Sequence, residues 1–173
     1  MTEGIDIKPL TITDSEAALA LYNELTLGPK TRDHTAFEVV VAHPGTTILG
    51  AFDQKTLVAM LTLHLLPNVT WGARPYALIE NVVTTAAHRK KGIGKQVMRH
   101  AIARAWDAAA FKNTLMTGRK RAATRFYEPV GFRPEGTNTM VIRRADASDL
   151  RRAASRTPRT ASTATTDLLN TAP

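Results

Sequence analysis

Apolar and polar residues alternate from Ile5 to Thr13 (Ile5, Ile7, then Leu10 and Ile12), which predicts a first strand with an irregularity at Pro9. Ala17, Ala18, Leu21 and Leu25 then recur at helical spacing, behind Thr13 or Asp14 as the cap. Gly28-Pro29 closes a loop over Thr26–Asp33, and a second short helix is predicted from Thr35 to Ala42, before Pro44-Gly45. Thr46–Phe52 and Thr56–Leu66 read as strands joined by a hairpin connection at Asp53-Gln54. Pro67–Pro75 is a loop with an aromatic ring, Trp71, and a cation, Arg74, at its tip. An apolar strand follows from Ala77 to Val83, then a glycine-punctuated turn and a long helix from Gly92 to about Ala110. In that helix Ile93, Val97, Ala101 and Ala105 lie beside Met98, Ile102, Trp106 and Ala109, two adjacent rows forming one core-facing stripe. Met98 and Trp106 read as packing residues. Thr114–Thr117 predicts another strand, and Lys120–Tyr127 a short helix ended by Pro129. Phe132 and Met140–Arg143 supply two last strands through a hairpin at 134–137.

From Ala145 the pattern dissolves into Ala, Thr, Ser and Arg, without aromatics. Such a segment cannot bury much surface, so the reading is one domain over residues 1–144 and a flexible tail over 145–173.

Composition narrows the class. The 173 residues include no cysteine, which excludes disulfides, thiolate metal sites and a cysteine nucleophile and is compatible with the cytoplasm. The uncharged run Thr56–Leu66 is too short to span a bilayer, and the N-terminus lacks a basic start with an apolar run, so a soluble, cytoplasmic protein is expected. The five histidines are scattered, and His64 inside its strand reads as structural, so no metal is expected.

The net charge of +8 is unevenly spread. Residues 1–84 carry five Lys/Arg against nine Asp/Glu, while residues 85–134 carry twelve against two. A nucleic-acid surface is the rival reading of such a cluster. A polyanionic small ligand fits better, because the charges bracket one glycine turn and few aromatics interleave with them.

That turn, Arg89-Lys90-Lys91-Gly92-Ile93-Gly94, follows a strand and opens a helix. Its glycines permit tight turning, and the helix start offers N–H groups and the positive end of the dipole, a combination suited to phosphate. A dinucleotide fingerprint fails for want of a third glycine at Gln96-Val97, and no Gly-Lys-Ser/Thr marks a P-loop. What remains resembles motif A of the GCN5-related N-acetyltransferase (GNAT) superfamily, Arg/Gln-x-x-Gly-x-Gly/Ala. A second stretch, Phe126-Tyr127-Glu128-Pro129-Val130-Gly131-Phe132, resembles that family's Phe-Tyr-x-x-x-Gly-Phe signature. Together they extend the resemblance over roughly residues 5–144.

The resemblance implies an α/β fold with a mixed, mostly antiparallel central sheet of six to seven strands flanked by about four helices. It implies acetyl-CoA as co-substrate, and a homodimer as an expectation of the family alone. Arg89, Lys90, Lys91, Gly92, Ile93, Gly94 and Lys95 would hold the pyrophosphate, and Val82 and Val83 would meet the acyl carbonyl and pantetheine arm where the family splays its strands. The family often has an asparagine where this chain has Lys120; that lysine would contact a phosphate, or the contact is missing.

Tyr127 matches the tyrosine that protonates the departing thiolate in the family; otherwise it is a core aromatic. Glu80, a charge inside an apolar strand, is the base candidate, or it only orients water; its other reading is an outward-facing residue. Burial would bring its pKa towards useful values. Lys30, Arg32 and His34 border the family's acceptor site, or form a solvated loop. Trp71 and Arg74, in a loop placed beside the mouth of the site, would select a substrate, or would be a packed ring and a surface charge.

Direct transfer in a ternary complex, without an acetyl-enzyme, is the expected chemistry. The acceptor is read as a primary amine on a small molecule: amino sugar, amino acid, polyamine or drug. Glu80-Asn81-Val82-Val83 is similar to the Glu-Asp-Val-Val of glucosamine-phosphate acetyltransferases. A protein or peptide N-acetyltransferase and a non-catalytic coenzyme A sensor are the alternatives. No membrane partner is expected.

Overall fold

The run from Thr56 to Leu66 becomes β3 (Thr56–Leu66), the middle strand of a five-stranded sheet. The computed structural model describes residues 4–25, 30–117 and 125–134, all within one compact unit. β1 (Ile5–Pro9), β2 (Thr46–Asp53), β3 and β4 (Tyr76–Thr84) pair antiparallel in turn, and β5 (Asn113–Leu115) joins β4 in parallel. The fold is therefore α/β with a mixed, mostly antiparallel sheet. It has five strands among the described residues, not six to seven. Phe132–Pro134 run without strand pairing there, and residues 140–143, like the tail, lie outside them.

β3 reads as a continuous apolar run because both its faces are covered. The short α3 (Thr70–Ala73) joins β3 to β4, and Leu61 and Leu63 face one core with Ala77, Ile79 and the helix α4 (Ile93–Asp107). Met60 faces a second core with Leu21 of α1 (Ser15–Leu25) and Phe37 of α2 (His34–Ala42). The sheet is thus a middle layer, with α4 on one side and α1 and α2 on the other.

Several boundaries shift for local reasons. β1 ends at Pro9, which has no N–H to give to a ladder, and a 3-10 turn at Ile12–Asp14 follows. The Asp14 carboxylate accepts from the Thr11 N–H at 2.8 Å and fixes the entry to α1. That helix buries Ala18, Leu19 and Leu21 and leaves Ala17 and Leu25 exposed, so its stripe is rotated from the predicted one. In α4, Trp106 is 51% exposed rather than packed. A step of four residues overshoots the 3.6-residue turn by about 40°. Both rows drift this way, but Ile93, Val97, Ala101 and Ala105 sweep across the core face, whereas Met98 already stands at its far edge and Ile102 and Trp106 continue past it.

Candidate active site

The site begins with a fault in β4. Thr62 stands opposite Glu80 and Met60 opposite Val83, so Asn81 and Val82 together face the single residue Leu61. This is a β-bulge, and Asn81 takes the left-handed conformation it needs (φ 55°), which asparagine tolerates better than most side chains. The Asn81 amide donates to Oγ1 of Thr62 at 3.4 Å, and the Tyr22 hydroxyl lies 3.2 Å from the same oxygen. Thr62 is buried, so these contacts satisfy a polar group inside the sheet. The bulge packs Val82 against the α4-side core and puts Val83 in the α1-side core. β5 pairs with β4 only over Ala77–Ile79, so the rest of β4 runs on without it.

A recess of about 350 Å³ lies along that free part of β4, lined by Val82, Val83, Thr84, Arg89, Phe126 and Tyr127, with Glu24 and Leu25 at the end of α1. A second recess of about 300 Å³ shares Thr84, Arg89 and Phe126 with it and continues past His88, Lys90, Gly92, Ile93, Gly94 and Lys95. The two adjoin at these shared residues, one lying at the bulge and the other at the start of α4.

At that start Gly92 is left-handed (φ 84°), and its carbonyl accepts from the Lys95 and Gln96 N–H groups at 3.1 and 3.2 Å. Arg89 folds back: its Nε donates to the Thr84 carbonyl at 3.0 Å, and Nη2 lies 3.8 Å from Glu24 Oε2. The same Glu24 oxygen accepts from the Ala86 N–H at 3.3 Å, tying α1 to the turn. Tyr127 packs edge-on to Phe126 (ring centroids 4.9 Å apart) and to Phe132, and burial pushes its phenol above the ordinary tyrosine value. A phenol so placed stays protonated at neutral pH and has a proton to give.

Of the residues singled out in the sequence, Val82, Val83, Arg89, Lys90, Gly92, Ile93, Gly94, Lys95 and Tyr127 line these recesses. The Ile93 side chain is buried, so it offers backbone. Lys91 is exposed and lines neither recess, and Lys120 lies outside the described residues. Glu80 is on the α1 side of the bulge but is not buried: its side chain is 39% exposed, 3.9 Å from Nε2 of His64. Arg32 and Lys30 are exposed in the loop before α2 and line neither recess, while His34 Nδ1 lies 2.9 Å from the Ser15 hydroxyl.

Trp71 and Arg74 line neither recess. They sit where β4 begins, roughly 20 Å from Val82 at about 3.3 Å per residue. The Arg74 guanidinium donates to the carbonyls of Ala109 and Ala110 (3.0 and 3.2 Å), beyond the far end of α4 from the glycine turn. Trp71 stacks on Phe111 with centroids 5.2 Å apart. Their loop joins the strand end opposite the recess, which antiparallel connectivity dictates and loop composition does not reveal.

Sequence reading missed Glu24, Thr84 and Phe126 as lining residues. Glu24 carries no local signal, since its partner Ala86 is 62 residues away. Asn81 carried one: an asparagine interrupting an apolar strand.

The family model described as "Acetyltransferase (GNAT) family" matches residues 11–132. No curated protein matches the chain. Among solved structures, one from Agrobacterium tumefaciens str. C58, assigned as an acetyltransferase, is 38% identical with a TM-score of 0.76, covering 80% of this chain and 99% of its own. A transcriptional regulator from Bacillus halodurans C-125 is 28% identical (TM-score 0.69; 79% and 99% covered). Glucosamine-6-phosphate N-acetyltransferase from Arabidopsis thaliana is 18% identical (TM-score 0.71; 81% and 99% covered), a likeness of fold.

Proposed function

The chain belongs to the acetyltransferase (GNAT) family of acyl-CoA-dependent N-acetyltransferases, and from that premise we propose that it moves the acetyl group of acetyl-CoA to a primary amine of a small molecule, directly, in a ternary complex. The observation that carries this reading is the pair of adjoining recesses, one at the bulge and one at the left-handed Gly92. The two recesses suit the two ends of the co-substrate. The helix start and the cations of Arg89, Lys90 and Lys95 would hold the pyrophosphate. Val82 and Val83 would meet the acyl arm, with the disrupted ladder of the bulge supplying backbone donors.

The chemistry divides between the two faces of β4. Glu80, on the α1 side, would take the proton of the attacking amine directly or through a water. Tyr127 would donate to the sulfur as the thioester breaks. Each carries one proton in the direction its state allows: a carboxylate accepts and a neutral phenol gives.

The similarity of Glu80-Asn81-Val82-Val83 to glucosamine-phosphate acetyltransferases puts an amino sugar among the acceptors to try first, beside amino acids, polyamines and drug amines. The domain of this activity would span residues 1–144. A cytoplasmic location is proposed too; among the described residues no helix is long and apolar enough to cross a membrane.

The test is an acetyl-CoA titration by calorimetry on the wild type and on Gly92→Glu and Gly94→Glu, then thiol release with an amine panel that includes glucosamine 6-phosphate. Micromolar binding that both substitutions abolish supports the site. A folded protein that binds no acetyl-CoA would overturn it. Binding without turnover on any amine, unchanged in Tyr127→Phe, would favour a sensor.

A further inference from the structure

Beside the bulge, on the α1 side of the sheet, two histidines share one hydroxyl. Oγ1 of Thr46 lies 2.9 Å from Nδ1 of His43 and 2.9 Å from Nδ1 of His64. The other ring nitrogen of His64 lies 3.9 Å from Oε2 of Glu80. Register sets this up: Thr46 stands opposite His64 on β2 and β3, and Glu80, opposite Thr62, is diagonal to His64.

A hydroxyl has one proton, so both 2.9 Å contacts are hydrogen bonds only when at least one of the two Nδ1 atoms carries its own hydrogen. The carboxylate breaks the tie. It can only accept, so it favours Nε2–H on His64 and leaves that ring's Nδ1 to accept. Thr46 then donates to His64 and accepts from Nδ1–H of His43.

We propose that His64 is a positioning residue for Glu80, its Nε2–H turned to the carboxylate by the Thr46–His43 pair. The proposal rests on Glu80 acting as the base of the reaction above. The 3.9 Å separation exceeds hydrogen-bond length, so the contact would have to shorten when substrate binds, as catalytic hydrogen bonds do. Oε1 is then the oxygen left for the amine or its water. Thr62, opposite Glu80, is already engaged by Tyr22 and Asn81 and holds the floor of this face.

The arrangement is read by ring ¹⁵N shifts at about pH 9, well above the reference histidine value. With five histidines in the chain, single substitutions assign the signals. The expected pattern is Nε2–H on His64 and Nδ1–H, the minor form of free histidine, on His43. Thr46→Val returns His43 to Nε2–H, and Thr46→Ser, which keeps the hydroxyl, does not. Nδ1–H on His64, or a His43 tautomer indifferent to Thr46→Val, overturns the proposal.

The role is read by thiol release from acetyl-CoA with glucosamine 6-phosphate and with n-hexylamine. His64→Leu lowers kcat about tenfold or more with the acetyl-CoA KM unchanged, and His64→Gln, which keeps an N–H, restores most of it. Wild-type kcat in His64→Leu sinks the role. Failure of the wild type to bind acetyl-CoA by calorimetry instead sinks the proposed function, while the tautomers still decide the arrangement.

Discussion

A β-carbon placed on Gly94 would come within 3.2 Å of Cζ of Phe126, and within 3.0 Å of Oγ1 of Thr84. The second glycine of the turn is therefore a packing glycine: it lets the ring of Phe126 lie on the start of α4, where that ring lines both recesses. Gly92 differs. Nothing lies within 4 Å of a β-carbon there, and the requirement is its φ of 84°.

Alanine separates the two roles. Gly92→Ala strains the backbone by about 1–2 kcal/mol and lowers the melting temperature. Acetyl-CoA binding in it falls by less than about fivefold if the turn holds. Gly94→Ala moves Phe126 and Thr84 by a few tenths of an ångström, an overpacking cost of about 1–3 kcal/mol partly offset by about 1 kcal/mol of helix propensity, and weakens acetyl-CoA by about five- to tenfold, short of exclusion because the motif itself admits alanine there. Calorimetry beside thermal melts reads both. Equal affinity in Gly94→Ala and wild type would show that Phe126 does not shape the recesses.

Tyr127→Phe removes the phenol and keeps the ring against Phe126 and Phe132. If Tyr127 protonates the thiolate, kcat falls by about 10²–10⁴-fold, the usual range for a general acid, while the acetyl-CoA Kd changes less than threefold. Burial raises the phenol, so its deprotonated limb in the pH–rate profile lies above the ordinary tyrosine value near 10, and it vanishes in the variant. A variant with wild-type kcat returns Tyr127 to the core.

Two tyrosines are raised, Tyr127 and Tyr22; for Tyr22 burial outweighs an opposing hydrogen bond from Thr62. The unfolded phenol ionises first as pH climbs, so above about pH 10 the unfolded state binds fewer protons than the native one. Stability is then full below the unfolded value and is lost as pH rises through the folded one. Chemical denaturation at pH 8 and pH 11 should show this loss, and Tyr22→Phe and Tyr127→Phe should each shrink it. Tyr22→Phe also gives up its contact with Thr62, about 1 kcal/mol at either pH. A loss at pH 11 that both variants leave untouched would assign it to other groups.

How much of this was legible follows the range of the interactions. The bounds of β3 and the start of α4 follow from periodicity and glycine, which are local, and the basic glycine turn and Phe-Tyr signature could be read for the same reason. The bulge left only a trace in Asn81, because a one-residue register shift is a property of two strands. The tie from Glu24 to Ala86 and the Thr46–His64–Glu80 alignment depend on register across the sheet, which one strand's sequence does not encode. Trp71 and Arg74 have site-like chemistry, but the end of the sheet on which a loop falls is settled by topology.

Those two residues give the last prediction. Arg74 donates to two carbonyls just past α4, a cation at the negative end of the helix dipole. The chain there uses Ala109 in the left-handed conformation (φ 58°), with Ala110 N–H closing back to the Ala105 carbonyl at 3.0 Å. Arg74→Ala should therefore cost about 1–2 kcal/mol of stability and leave the Kd for acetyl-CoA and the KM for any acceptor within twofold. α4 spans about 22 Å at 1.5 Å per residue, so a local loosening at this end does not reach the glycine turn at the other. Ala109→Gly relieves the left-handed alanine and should offset much of the loss in the double variant, by about 1 kcal/mol. Stability comes from denaturant titration and KM from thiol release. An Arg74→Ala variant of unchanged stability whose acceptor KM rises fivefold or more would restore Arg74 to the substrate site.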